Sequence, residues 1–182
     1  MLKNRILTII AACSLALLIS LPVAAQERSN DGARTSPNAA VSQTIGTTEV
    51  TLTYGRPSVN NRNIFGGLVP YDEVWRTGAN ESTAITFSDD VLIEGERVEA
   101  GTYSLYSEPG EETWSIIIND KLSWGTQYDM SEDVLRVEVD AEESYFVEQM
   151  LIYFEDISEE SGDMVIHWAD TRVSVQIEPV NE

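Results

Sequence analysis

From Val41 to Ile177 apolar residues recur at every second position in short runs, and no stretch keeps a helical period long enough for an ordinary helix. A period of two sends successive side chains to opposite faces of an extended chain, so each run reads as a strand with one face buried. Val50, Leu52 and Tyr54 share such a face, as do Ile85 and Phe87, Tyr103 and Leu105, and Trp114, Ile116 and Ile118. Leu135, Val137 and Val139 alternate with Arg136 and Glu138, and Val173, Val175 and Ile177 alternate with Arg172, Ser174 and Gln176. Tyr145–Ile157 is apolar on both sides, which predicts a central strand. Gly46-Thr47-Thr48, Glu94-Gly95 and Pro109-Gly110 supply turns. The pattern predicts an all-β domain over residues 41–180, an antiparallel β-sandwich of roughly nine or ten short strands. Immunoglobulin-like and jelly-roll-like strand orders fit the pattern equally.

One stretch does not obey the period. Residues 55–82 separate two strand-like runs, and a loop beyond roughly 12–15 residues is uncommon in a compact domain unless it is functional or disordered. Ile64, Phe65, Leu68, Val69, Tyr71, Val74 and Trp75 make this one too apolar to remain in water, so an ordered loop is expected. Pro57 and Pro70 restrict φ, and Gly66-Gly67 permits a sharp reversal.

The N-terminus predicts export. Lys3 and Arg5 precede the apolar run Ile6–Leu21, and Val23-Ala24-Ala25 is a small-residue cleavage site, so residues 1–25 read as a signal peptide. The apolar run has 16 residues, short of the roughly 20 needed to span a bilayer. Ile10-Ala11-Ala12-Cys13 leaves lipoprotein processing at Cys13 as an alternative. Gln26–Ala40 is polar with Gly and Pro, and reads as a flexible N-terminal tether. The expected location is extracytoplasmic, periplasmic or secreted, with no membrane span in the mature chain. Cleavage near Ala25 removes the only cysteine, and with it any disulfide or thiol chemistry.

The whole chain has 11 Lys plus Arg against 31 Asp plus Glu, a formal net charge of −20 that becomes −22 once Lys3 and Arg5 are gone. Such a surface repels nucleic acid and anionic membrane. Three of the nine remaining basic residues, Arg56, Arg62 and Arg76, fall in the long loop. Their planar forks suit carboxylate or phosphate. Trp75, Asn80 and Glu81 add an aromatic face, an amide and a carboxylate, so Arg56, Arg62, Trp75, Arg76, Asn80 and Glu81 form the candidate ligand-binding set. The competing reading pairs these arginines internally with Asp72, Glu73 or Glu81. No metal or other cofactor is expected: His167 is the only histidine and reads as a structural or surface residue, and the acidic runs Asp129–Asp133 and Asp156–Asp163 lack a calcium-loop pattern.

The strings YGRPSVNNRNIFGGLVPY and VWRTGANESTAITFSDD, continued in AGTYSLYSEPG, WGTQYD, DVLRVEV and HWADTRVSVQI, resemble the secreted bacterial family catalogued as domain of unknown function 2911. The resemblance implies an extracytoplasmic β-rich domain and brings no catalytic residues with it. The expected function is a binding or accessory module whose loop forms a polar pocket for a small polar ligand, a glycan or an envelope protein. The alternative is a carbohydrate-active hydrolase of the cell envelope using Glu81 as acid or base.

Overall fold

The computed structural model describes Arg28 and residues 32–180; the predicted leader over residues 1–25 and the possible processing at Cys13 lie outside them. Among the described residues nine strands form in chain order: β1 Asn38–Ile45, β2 Thr48–Gly55, β3 Thr83–Phe87, β4 Val91–Ile93, β5 Glu96–Val98, β6 Gly101–Pro109, β7 Thr113–Asn119, β8 Asp133–Glu155 and β9 Gly162–Pro179. A 3-10 turn, Met130–Glu132, precedes β8 and is capped by the Asp129 carboxylate, which accepts from the Ser131 N–H.

Every strand pairing is antiparallel, and the nine strands join in one open sheet of order β1-β2-β3-β6-β7-β8-β9-β4-β5. The expected sandwich therefore stands at a coarser level: the domain is all-β and antiparallel, and the strand order identifies neither an immunoglobulin-like nor a jelly-roll arrangement. Two strands expected on either side of Asp140 are one strand of 23 residues. Its first part pairs with β7 and its second with β9, with register shifts between Glu143 and Val147 and between Val147 and Leu151. Such bulges let a long strand bend and change partner without breaking its ladder. The two runs around Ala169 are likewise one strand, β9, with Ala169 at φ +55°. As expected, β8 is central to the sheet, but its bulges leave Tyr145 and Phe146 exposed.

The alternation read from the sequence decides what is buried. Val50, Leu52, Ile85, Leu105, Ile116 and Ile118 share one apolar cluster with Val91, Met150, Ile152, Ile166, Val173 and Val175. Both ends of the sheet thus contribute to a single core. Trp114 and Trp168, each 1 % exposed, are its largest members, and the long loop closes over them.

Candidate functional site

The loop from Arg56 to Ser82 is fastened to the sheet at both ends. Near its start, Val59 N–H donates to Glu148 O (2.8 Å) and Met150 N–H to Pro57 O (3.0 Å), a short extension of the ladder along β8. Further on, Trp75 and Ser107 exchange both backbone hydrogen bonds, at 2.7 and 2.9 Å, which lays the chain beside β6. Between these points Val69 N–H donates to Ile64 O (2.9 Å) and Gly66 N–H to Val69 O (2.9 Å), so the predicted reversal at Gly66-Gly67 forms. Val59, Ile64 and Val69 are buried, whereas Leu68, expected inside, stays 47 % exposed.

Trp75 is the anchor. Its ring stacks on Trp168 at 5.8 Å and meets Trp114 and Phe65 edge-on at 6.3 and 6.0 Å. Its indole N–H donates to Gly78 O (3.2 Å), which fixes the turn that follows. That turn is conformationally costly. Thr77 and Asn80 have φ of +49° and +68°, and five of the eight non-glycine residues described with positive φ fall in this loop. Asn tolerates the left-handed region; a β-branched Thr does not adopt it without compensation. The compensation is visible: Thr77 Oγ1 bonds Ser107 Oγ (2.9 Å), and Thr83 Oγ1 donates to Thr77 O (2.6 Å). Gly55 allows the close approach, since a Cβ there would lie 2.3 Å from Ala79 O.

Four of the six predicted residues meet at one cavity of about 340 Å³: Arg62, Trp75, Arg76 and Asn80 all line it. Pro57, Leu68 and Val69 give it apolar walls, and Thr35, Ser36 and Trp168 complete it from outside the loop. Among the described residues, no Asp or Glu lines it. Burial pulls the Arg76 guanidinium below its ordinary pKa, with Tyr106 as a smaller opposing influence. Arg76 Nε and Trp168 Nε1 are both buried N–H donors without an acceptor. The Arg76 stem is held by the irregular segment after β7, where a Cβ on Gly125 would lie 2.0 Å from Arg76 Cδ.

The other two predicted residues are placed elsewhere. Arg56 donates from Nε to Met150 O (2.9 Å), tying the loop to β8. Glu81 is 6 % exposed and engaged by two arginines from the N-terminal segment. Arg34 grips it in a fork, at 2.7 and 3.0 Å, and Arg28 reaches the same carboxylate at 3.4 Å. The Arg34 hydrogen bonds hold the Glu81 carboxyl below the usual carboxylate range, against the opposing effect of burial. Burial pushes Arg28 down to about 10, the Glu81 charge resisting. Arg28 also donates to Ser82 O at 2.6 Å and Thr53 O at 3.1 Å.

The internal ion pairing weighed for Glu81 is real, but its cations come from the predicted tether and not from the loop. Residues 26, 27 and 29–31 of that tether lie outside the described residues. Of the remainder, Asn38–Ala40 already belong to β1, Arg56 N–H donates to Pro37 O (2.8 Å), and the Asn80 amide donates to Ser36 O (3.2 Å). Sequence reasoning missed Arg28, Arg34, Thr35, Ser36 and Trp168. The available signal was scarcity: in so acidic a chain, each of nine cations is worth tracing to a partner. His167 is buried with Nε2 2.9 Å from Tyr145 O, a structural placement.

Together the fold and the site define an all-β domain with an arginine-bearing cavity beneath a long ordered loop, lined by no carboxylate among the described residues. The family model described as "Protein of unknown function (DUF2911)" matches residues 36–177, and the chain belongs to that family. No curated protein and no solved structure matches it.

Proposed function

We propose that this domain is a binding or accessory module, and that the cavity bearing Arg62, Trp75, Arg76 and Asn80 is its ligand site. The observation that carries the reading is convergence: four polar or aromatic residues, spread over 19 positions of one loop (62–80), line a single cavity. A volume of about 340 Å³ sits at the small end of the range used for small-molecule recognition. Strained backbone in the same loop supports it, because left-handed non-glycine residues tend to persist where a site needs them. In this reading the sheet curves over itself in sandwich fashion, which the shared core supports, and the loop closes one mouth of it.

The module acts outside the cytoplasm, with the segment up to about Ala25 removed on export. Its partner is a small polar ligand, or a glycan or envelope protein whose terminal group the cavity accepts. A hydrolase built on Glu81 is less well supported, since that carboxylate is held by Arg34 and Arg28 and is not among the cavity residues. A thermal-shift screen of the mature chain against neutral sugars, acidic sugars, amino acids and organic acids tests the reading. A saturable rise in melting temperature that Arg76→Ala removes is the expected result. A flat response across all four classes would count against a ligand site here. Fractionation of cells producing the full chain checks the location.

A further inference from the structure

We infer that the cavity recognises a small organic anion, through a carboxylate or phosphate group seated against Arg62 and Arg76 with a short, partly apolar body against Trp75, Pro57 and Val69. This rests on the cavity being a ligand site and specifies what that ligand carries. Three independent observations lead to it.

The first is charge bookkeeping. Nine basic residues are described, and Arg28, Arg34, Arg97, Lys121, Arg136 and Arg172 each sit in an ion pair with Asp or Glu. None of the ion pairs among the described residues involves Arg56, Arg62 or Arg76. With 31 acidic residues in the chain, a cation without a carboxylate is the exception. Arg56 spends its Nε–H on a strand carbonyl, and Arg62 donates to Val59 O and Ser58 O. The Arg76 guanidinium has no hydrogen bond among the described residues, its backbone carbonyl alone accepting from Thr83 N–H (3.3 Å).

The second is unmet hydrogen bonding in residues that line the cavity. Arg76 Nε and Trp168 Nε1 are donors, both buried and both without acceptors, and both residues line this cavity. A buried donor left unsatisfied is unfavourable, so an acceptor-rich ligand whose seating brings an acceptor within reach of either donor gains by that contact. The third is exclusion: among the described residues no carboxylate lines the cavity, although acids outnumber bases in the chain almost three to one. A partly buried guanidinium with no carboxylate at ion-pair distance interacts favourably with an incoming anion. The surrounding net charge repels polyanions, which confines the fit to small ones.

The test is a titration of the mature protein, labelled with nitrogen-15, with glucuronate, benzoate, inorganic phosphate and glucose. The indole N–H signal of Trp168 and the Arg76 Nε–H signal are read together. The expected result is saturable movement of both signals with at least one anion, and none with glucose. The anion that binds should bind tenfold or more weakly to Arg76→Gln and to Arg62→Gln, and equally well to Arg56→Gln. Saturation by inorganic phosphate would assign the group as phosphate, and by glucuronate or benzoate alone as carboxylate; either supports the inference. Saturation by glucose with equal affinity in wild type and Arg76→Gln would overturn the anion and leave the ligand site standing. No saturation by any of the four would overturn both. The wild-type signals decide the matter even if a glutamine variant fails to fold.

Discussion

Two sets of arginines serve this loop, and they are treated in opposite ways. Arg28 and Arg34 come from the N-terminal segment, find Glu81, and leave no carboxylate oxygen of it unengaged. Arg62 and Arg76 belong to the loop itself, line a cavity, and meet no carboxylate at ion-pair distance among the described residues. The first arrangement is a lock: charges buried in pairs, with one Arg28 terminal nitrogen also donating to the Thr53, Glu81 and Ser82 carbonyls, although Arg28 Nε has no acceptor among the described residues. The second is an open valence. Burial alone cannot explain the difference, since desolvation lowers the pKa of both Arg28 and Arg76. What separates them is whether the chain supplied a counter-charge.

The comparison is broken most directly at Glu81. Removing one member of a buried ion pair leaves the others uncompensated, an effect of about 3–5 kcal/mol in well-buried cases. Arg34 keeps 21 % side-chain exposure, which favours the lower end. Glu81→Ala should therefore lose about 3 kcal/mol, a fall in melting temperature on the order of 10 °C. Calorimetry or chemical denaturation measures it. A change below about 1 kcal/mol would mean that the ion pair is no lock.

Acid should open the same lock. Glu81 has a folded-state pKa below its ordinary value, chiefly through the Arg34 hydrogen bonds. A depressed carboxylate contributes stability that is fully present above its unfolded value, near 4.5, and that disappears as pH falls through the lower folded value. Asp90 and Asp129 are also depressed, by hydrogen bonds from Ala100 and Ser131 respectively, so the wild-type acid slope is composite. The difference between wild type and Glu81→Gln isolates the lock. That difference should be constant from pH 7 to 5 and shrink as pH drops below about 4.5. Urea denaturation at each pH reads it, and a difference that grows in acid would reverse the assignment.

How far the sequence carried these conclusions depends on the kind of information each needs. Strand faces were legible because a period of two is a local property: Val50, Leu52, Ile85, Ile116, Val173 and Val175 are all buried as their alternation predicts. Strand continuity was not. Asp140–Ser144 and Ala169–Thr171 look like breaks, and only the sheet's hydrogen bonding shows that bulges carry β8 and β9 through them. Loop order was legible from Ile64 and Val69, yet Leu68 points outward because a tight reversal cannot bury every side chain it carries. At the site, proximity in sequence told which residues share the loop but not where each side chain points. Arg56 and Glu81 therefore parted from Arg62, Trp75, Arg76 and Asn80. The partners of Glu81 come 47 and 53 positions away, from a segment whose composition advertises no structure.

A smaller effect separates Arg56 from its neighbours. Its Nε–H donates to Met150 O, and the loss of one such bond to a strand carbonyl is worth about 1 kcal/mol. Arg56→Ala should show a loss of that size in chemical denaturation, with the cavity unchanged, which makes it the control for the loop's other arginines.

The smallest effect on stability belongs to Arg76, and it is the sharpest form of the comparison. Its guanidinium is desolvated, has no hydrogen bond among the described residues, and carries Nε without an acceptor. Truncation to Ala removes packing of the stem against Gly125, an unfavourable change, and removes an unsatisfied charged group, a favourable one. The two oppose each other, so Arg76→Ala should alter folding stability by less than about 1 kcal/mol in either direction. Chemical denaturation beside Glu81→Ala gives the contrast directly. If Arg76→Ala proved as damaging as Glu81→Ala, Arg76 would be a structural cation like Arg28, and the cavity would lose a lining guanidinium that has no ion-pair partner among the described residues.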